Sequence, residues 1–423
     1  MRASALTLTV VCVVSVLAAG CGSSKIGPFT IGILSDCFGP AGGSNELNVA
    51  SAELPLIERG AKLVGRKPTD GIGPVEVAGR RIVLVLGCVA GTTDVIPEAR
   101  RLVEEDGAQA IVGPQDPTQG LALRLYARKR PGTAFLIEPS AAPELTLTDP
   151  VRNVFRFTLD AAQSNAGLGG YAYRELRWRK AAVVADDVPY AWAQAAGFVA
   201  EFCALGGRVV DTIWVPFGVD PATAAAQVPR DVDGVYLGQA VLPMSAFLER
   251  YASLGHDLSR QLVASAGVVA DPAVIPSATG VVIGGSPAAQ RTPRERTYAR
   301  GFAKAFPGMV AARALTGTSL AYNLGVEAAL EALARARGRT GRPFLDALGA
   351  VRLDSPLGRI RLNSNRQAIG PSYLSRVTAR GIRTLRVVPG VEHTFGGYFT
   401  AADPPPSETS PACVKRMPPP WAR

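Results

Sequence analysis

Short apolar runs punctuate the chain, and between them apolar positions recur at helical spacing. Residues 30–34, 81–86, 110–114 and 133–137 are rich in Ile, Val and Leu, and each ends in a polar or Gly/Pro turn. They read as strands buried on both faces. Between them, Ala99, Leu102 and Val103 mark a helix over 97–106, and a second follows at 121–129. The pattern then restarts. A helix is expected over 162–176, a strand at 180–185, a helix at 191–205 capped by Gly206-Gly207, and strands at 208–215 and 234–238. A helix at 242–254, strands at 261–265 and 280–284, and long helices at 294–306 and 319–337 complete this half. Residues 372–378 and 383–388 read as a terminal hairpin around Gly381. Strands alternating with amphipathic helices predict an α/β protein with two doubly wound parallel-sheet lobes. Beyond Ala401 the chain is rich in Pro, Ser and Thr and reads as a loose tail.

The first 21 residues carry a different pattern. Arg2 precedes an apolar run over 6–17, which is followed by Leu17-Ala18-Ala19-Gly20-Cys21 and a small polar Gly22-Ser23-Ser24 stretch. A basic start, a short apolar run and small residues at a cut site make a secretory signal. With Cys at that site the segment resembles a bacterial lipoprotein signal, in which the thiol of Cys21 takes the lipid. Ala18 stands where Leu is usual, with Leu17 one place further back. The run is too short to span a membrane comfortably.

The composition fits a folded, exported globular chain. Of 423 residues, 47% are hydrophobic and 19% charged, enough for two ordinary domains after signal removal. The formal charge is +10, but the arginines are scattered and aromatics make up only 7%, so the balance reads as a solvated basic surface near anionic lipid and not as a nucleic-acid interface. Cys12 leaves with the signal and Cys21 takes the lipid. Cys37, Cys88, Cys203 and Cys413 remain, an even set in an oxidising compartment, open to three pairings. No metal or cofactor is expected. The cysteines lack ligand spacing, and His256 and His393 are the only histidines. An enzyme is disfavoured on the same grounds, since the chain has no Gly-x-Ser-x-Gly elbow and no P-loop.

Several stretches carry a family resemblance. They are 99–114 (ARRLVEEDGAQAIVGP), 139–146 (PSAAPELT), Val154-Phe155-Arg156-Phe157-Thr158, Asp186-Asp187-Val188-Pro189-Tyr190 and Tyr322-Asn323. In order and spacing they resemble the substrate-binding proteins of ABC transporters, of the branched-chain amino-acid type. The resemblance implies the type I periplasmic-binding fold, with a ligand clamped between two lobes joined by three crossing segments near Phe155, Gly280 and Ser355. It implies a signal over 1–20, a tether over 21–29, a first lobe of 30–154 plus 284–354, a second of 155–283 plus 355–400, and the tail at 401–423. The implied function is capture of an amino acid or other small polar or carboxylate solute outside the cytoplasm by a lipid-anchored monomer, and delivery to an ABC permease. A ligand sensor with the same fold is the alternative. The implied sheet order also makes Cys37–Cys88 the pair at the first-lobe rim and leaves Cys203–Cys413 to hold the tail.

Strand ends face the cleft in such folds. The ligand-binding candidates are accordingly Asp36, Thr118, Ser140, Ala141, Ala142, Tyr190 and Gln239. Helices opening near Thr118 and Ala142 are expected to aim free N–H groups at a ligand carboxylate. Tyr190 is expected to lay its ring on the ligand. The chain departs from the family's pattern where that pattern grips an α-amino acid. Ala141 replaces the usual Thr, Pro117 falls near the usual Ser, and Ala266 falls where a second-lobe carboxylate meets the ammonium. Asp36 and Glu138 are the carboxylates near enough in the pattern to compensate.

Overall fold

The structure is a computed structural model and describes residues 27–39, 42–285, 292–310, 315 and 317–422. The signal and Cys21 lie outside the described residues. The first sheet has the order β2-β3-β1-β4-β5-β6. Its strands are β1 (Phe29–Asp36), β2 (Val75–Val77), β3 (Arg80–Val89), β4 (Ala110–Val112), β5 (Ala134–Leu136) and β6 (Val154–Phe155). All pair in parallel except β2, which returns antiparallel along β3. The second sheet is built on β7 (Lys180–Asp186), β8 (Arg208–Val215), β9 (Gly234–Leu237), β10 (Leu262–Ser265) and β11 (Val282–Gly284), all parallel. A meander of β12 (Arg352–Ser355), β13 (Gly358–Leu362), β14 (Ala368–Thr378) and β15 (Gly381–Val391) joins it antiparallel through β14. The order there is β12-β13-β14-β11-β10-β9-β7-β8, with β15 on β14.

Each sheet is covered on both faces, which is why its strands are apolar throughout. Leu34, Leu102, Ile111 and Phe135 fill one side of the first sheet; Phe29, Ile31, Val112 and Leu136 pack with Tyr322, Val326 and Phe344 on the other. The second sheet has Phe198, Phe202 and Tyr236 on one side and Val184, Leu237, Phe247 and Leu262 on the other. These are two doubly wound lobes, as the strand and helix pattern predicts.

Three details differ from the reading of the sequence. The helix expected over 162–176 is two pieces, Ala161–Ser164 and Leu168–Arg174, because Gly167 takes φ +95° between them. The Glu201 carboxylate stabilises the break by accepting the N–H groups of Gly167 at 2.6 Å and Gly170 at 3.1 Å. The return to the second lobe is also later than the expected crossing at Ser355. Ile360 and Ala368 still pack in the first core, while Leu374 and Val377 pack in the second, so β14 itself runs from one lobe to the other. Finally, the segment beyond Ala401 is not a loose tail. It is bonded through Cys413 to Cys203 (Cα–Cα 5.3 Å), and the Trp421 indole donates to Glu201 at 2.5 Å.

Candidate functional site

The carboxyl ends of β1, β4 and β5 form the first-lobe rim. Asp36 ends β1, and Cys37 beside it is bonded to Cys88 near the end of β3, Cα–Cα 5.4 Å. β1 and β3 pair with Ser35 opposite Cys88, which brings the two cysteines into reach. The Asp36 side chain is buried. Its Oδ1 accepts one N–H from Gln119 at 2.8 Å, and its Oδ2 has no partner. Burial raises its pKa above the ordinary aspartate range; Gln119 opposes the rise and the Asp116 charge adds to it.

Thr118 lies in the first turn of the helix Pro117–Ala127, but its amide is not free. The N-cap is Asp116, whose Oδ1 accepts the N–H groups of Thr118 at 2.8 Å and Gln119 at 3.1 Å. The Thr118 hydroxyl also donates to Asp116 and lies 3.0 Å from that of Thr92. This corrects the expectation that free amides there await a carboxylate: the chain supplies its own. Near Ala142 the helix is a single turn, Glu144–Leu147, and the carbonyls of Ser140 and Ala142 accept from the Arg156 guanidinium at 2.9 and 2.6 Å. The Ser140 hydroxyl is buried without a partner and packs so closely that a side chain at Gly120 would collide with it.

The second-lobe rim is built on the ends of β7, β9 and β10. Asp186 is buried, and its Oδ2 accepts three backbone N–H groups, from Ala240, Val241 and Leu242, at 3.1, 2.6 and 2.8 Å. Asp187 takes the Trp192 indole N–H at 3.1 Å. Gln239 is engaged internally as well: its N–H donates to Ser265 Oγ at 3.0 Å and its Oε1 accepts from Met244 N at 3.2 Å. Ala266 begins a short turn directly after β10.

Tyr190 opens the helix Pro189–Ala204 and packs on Ala141, Ala161 and Ala193. Ala141 belongs to the first lobe and Ala193 to the second, so this small cluster is where the two rims meet. Burial raises the Tyr190 pKa, and a hydrogen bond with Gln194 opposes the rise. Tyr236 stands close behind and donates to Asn165 Oδ1 at 3.1 Å.

A buried polar network fills the space where the chain crosses. Arg156 donates to Gln367 Oε1 at 2.5 Å and to Thr146 Oγ1 at 3.2 Å, and lies 3.7 Å from the Asp160 carboxylate. Gln367 donates in turn to Thr158 O and Gln163 Oε1, both at 2.8 Å. Glu138, at the end of β5, accepts from the Phe157 amide and from the Thr158 hydroxyl at 2.5 Å. Burial pushes its pKa up to about 7. Glu138 is therefore committed to the crossing.

Asp36, Thr118, Ser140, Ala141 and Ala142 thus lie along one rim and Tyr190 and Gln239 along the other. Sequence reasoning missed Gln119, Asp116 and Gln194. Gln119 and Gln194 stand in the first two turns of helices that follow strands, and that position was the available signal. Among the described residues no cluster of His, Cys, Asp and Glu could hold a metal ion, and no helix is long and apolar enough to cross a membrane.

Comparison with curated protein sequences returns no match. Solved structures do match. An ABC transporter substrate-binding protein from Sphaerobacter thermophilus aligns with TM-score 0.74 at 23% identity, over 86% of this chain and 99% of that one. A solute-binding protein of an ABC transporter from R. palustris, in complex with benzoate, aligns with TM-score 0.69 at 17% identity, over 86% and 98%. The branched-chain amino acid transporter substrate-binding protein LivJ from Streptococcus pneumoniae, in complex with isoleucine, aligns with TM-score 0.66 at 15% identity, over 85% and 98%. At these identities the likeness establishes the fold, which is the type I periplasmic-binding fold. A model of the family described as periplasmic binding protein matches residues 28–381, most of the chain; together with two doubly wound lobes whose strand ends face each other, this establishes that the chain belongs to the periplasmic binding protein family.

Proposed function

We propose that the chain is a lipid-anchored solute-binding protein that works outside the cytoplasm, closes its two lobes on one small polar solute and presents the closed form to an ABC permease. The observation that carries this reading is the meeting of two buried rims, at Ala141 and Tyr190, across a junction that the chain traverses. Bending at the traverses moves each lobe as a body and leaves both cores intact, so a ligand that touches both rims shifts the balance toward the closed state by its differential affinity. On this reading Asp36, Ser140 and Ala141 contact the solute from the first lobe and Tyr190 from the second, the ring supplying apolar contact. The protein acts as a monomer, needs no cofactor and catalyses no reaction. Cys21 holds it to the membrane by lipid, and the permease's ATPase partner supplies the energy of transport.

X-ray scattering of the mature protein, before and after exposure to a small-molecule extract of cells, tests the clamp. The radius of gyration is expected to fall as one molecule is retained, and that molecule is identified by mass spectrometry. Unchanged dimensions with nothing retained would refute the reading. Fractionation tests the anchor: a Cys21→Ser variant is expected to leave the membrane fraction.

A further inference from the structure

Besides the Ser140 hydroxyl, four buried carboxylate and amide oxygens near the two rims have no hydrogen-bond partner: Asp36 Oδ2, Gln119 Oε1, Asp186 Oδ1 and Gln194 Oε1. All four are acceptors that cannot donate while the carboxylates are ionised. Asp36 is 5% exposed and Gln119 2%, and the two are joined by the single bond from Gln119 Nε2 to Asp36 Oδ1. A buried carboxylate with one donor and no cation is costly, and proteins rarely leave one so.

The surroundings do not relieve it. The hydroxyl of buried Tyr322 lies close by, yet it donates to the Leu34 carbonyl at 2.8 Å. Asp116 lies near enough for its like charge to add to the burden on Asp36. Among the described residues neither Asp36 nor Asp116 forms an ion pair with an arginine or lysine. The helix N-terminus that would favour an anion is already covered by Asp116. The backbone that carries the carboxylate is anchored beside it through Cys37–Cys88 and by the Cys37 amide on Val89 O at 3.0 Å.

We propose that the first-lobe rim receives the cationic head of the solute, an ammonium or guanidinium group, on Asp36 Oδ2 with Gln119 Oε1 as a second acceptor. The inference rests on the solute-binding reading and names the solute class: an organic cation with an apolar body. The head supplies both the charge and the N–H donors that the rim lacks. The body lies toward Tyr190, whose ring face is also attractive to a cation. The polarity is opposite to that expected from helix N-termini meeting a carboxylate.

The test uses ring compounds of matched shape and opposite charge on the mature protein: benzylamine and benzamidine against benzoate, read by thermal shift and calorimetric titration. The cations are expected to raise the melting temperature and benzoate to leave it unchanged. Asp36→Asn, which keeps an oxygen for Gln119, is expected to weaken the cations about a hundredfold, in line with loss of a buried charge pair. The wild-type comparison stands even where the variant does not fold. Benzoate acting without the cations overturns the inference and leaves the solute-binding reading intact. If no cation acts the inference also falls, and the scattering experiment then decides separately whether the clamp itself survives. Cation binding that is equal in wild type and in a folded Asp36→Asn assigns the head elsewhere and overturns it too.

Discussion

Asp36 and Asp186 occupy the same place in the two lobes. Each ends the first strand of its sheet in chain order, and each is almost wholly buried. Their partners differ. One oxygen of Asp186 accepts three backbone N–H groups from 240–242 and so fixes the loop after β9. Asp36 receives one side-chain N–H, from Gln119. The first lobe spends its nearby backbone donors on Asp116 instead. Position in a fold makes a carboxylate available to a ligand only if the chain does not use it first. Glu138 is a third strand-end carboxylate, and both of its oxygens are taken by the crossing.

The widest separation is expected between alanine variants of the two aspartates. Asp186→Ala strands three backbone donors, the buried Leu242 amide among them, together with the loop they hold, and is expected to cost about 4 kcal/mol in denaturant unfolding. Asp36→Ala loses one hydrogen bond and relieves a buried charge, so its cost without ligand is expected to be under ~1 kcal/mol. Equal costs would erase the distinction between a latch and a free acceptor.

Glu138 sharpens the contrast through pH. Its folded pKa, about 7, lies above the unfolded value of 4.5. The folded chain therefore holds this proton more tightly than the unfolded chain. The resulting stabilisation is complete below about pH 4.5 and is lost as pH rises through about 7, a swing of about 3 kcal/mol. His393 works in the opposite sense: burial lowers its pKa from 6.5 to about 4, so its protonation on unfolding removes stability as pH falls through that window. The difference in unfolding free energy between wild type and Glu138→Gln, followed from pH 4.5 to 8, isolates the Glu138 contribution. A flat difference would mean that this carboxyl does not titrate with folding.

A smaller effect is expected at the cap. Asp116→Ala should cost about 1 kcal/mol, the usual loss of an N-cap. It also uncovers the amides of Thr118 and Gln119, so sulfate should stabilise the variant in a thermal-shift titration while leaving wild type unchanged. A variant indifferent to sulfate would show that Asp116 does not hold that helix end closed.

Much of the fold was legible because β1, β3, β4 and β7 are continuous apolar runs. The helix Asn45–Ile57 was not, since its buried face carries Asn48, Ser51 and Glu53 and its interior Pro55. β12 and β13 were missed too. Leu353 and Ile360 point inward but alternate with Arg352, Asp354, Arg359 and Arg361, and the charges masked the period. At the site, the strand-end rule placed Asp36, Ser140 and Tyr190 along the rims. It could not tell which carboxylate oxygens would be taken, because the donors come from Gln119, the 240–242 loop and the 157–158 crossing, distant in sequence from the acids they serve.

Cys203 lies on the helix that opens with Tyr190, and its partner Cys413 comes 210 residues later. The 51-residue separation of Cys37 from Cys88 lets the first-lobe pair close as soon as β3 has been made. The second pair must wait for nearly the whole polypeptide. Any product that stops short of Cys413 would keep an unpaired thiol buried in the second lobe and would also lack Trp421, so that Glu201 loses its indole donor. Such a truncated chain would still present a finished Asp36 rim, opposite a Tyr190 helix that has lost its brace.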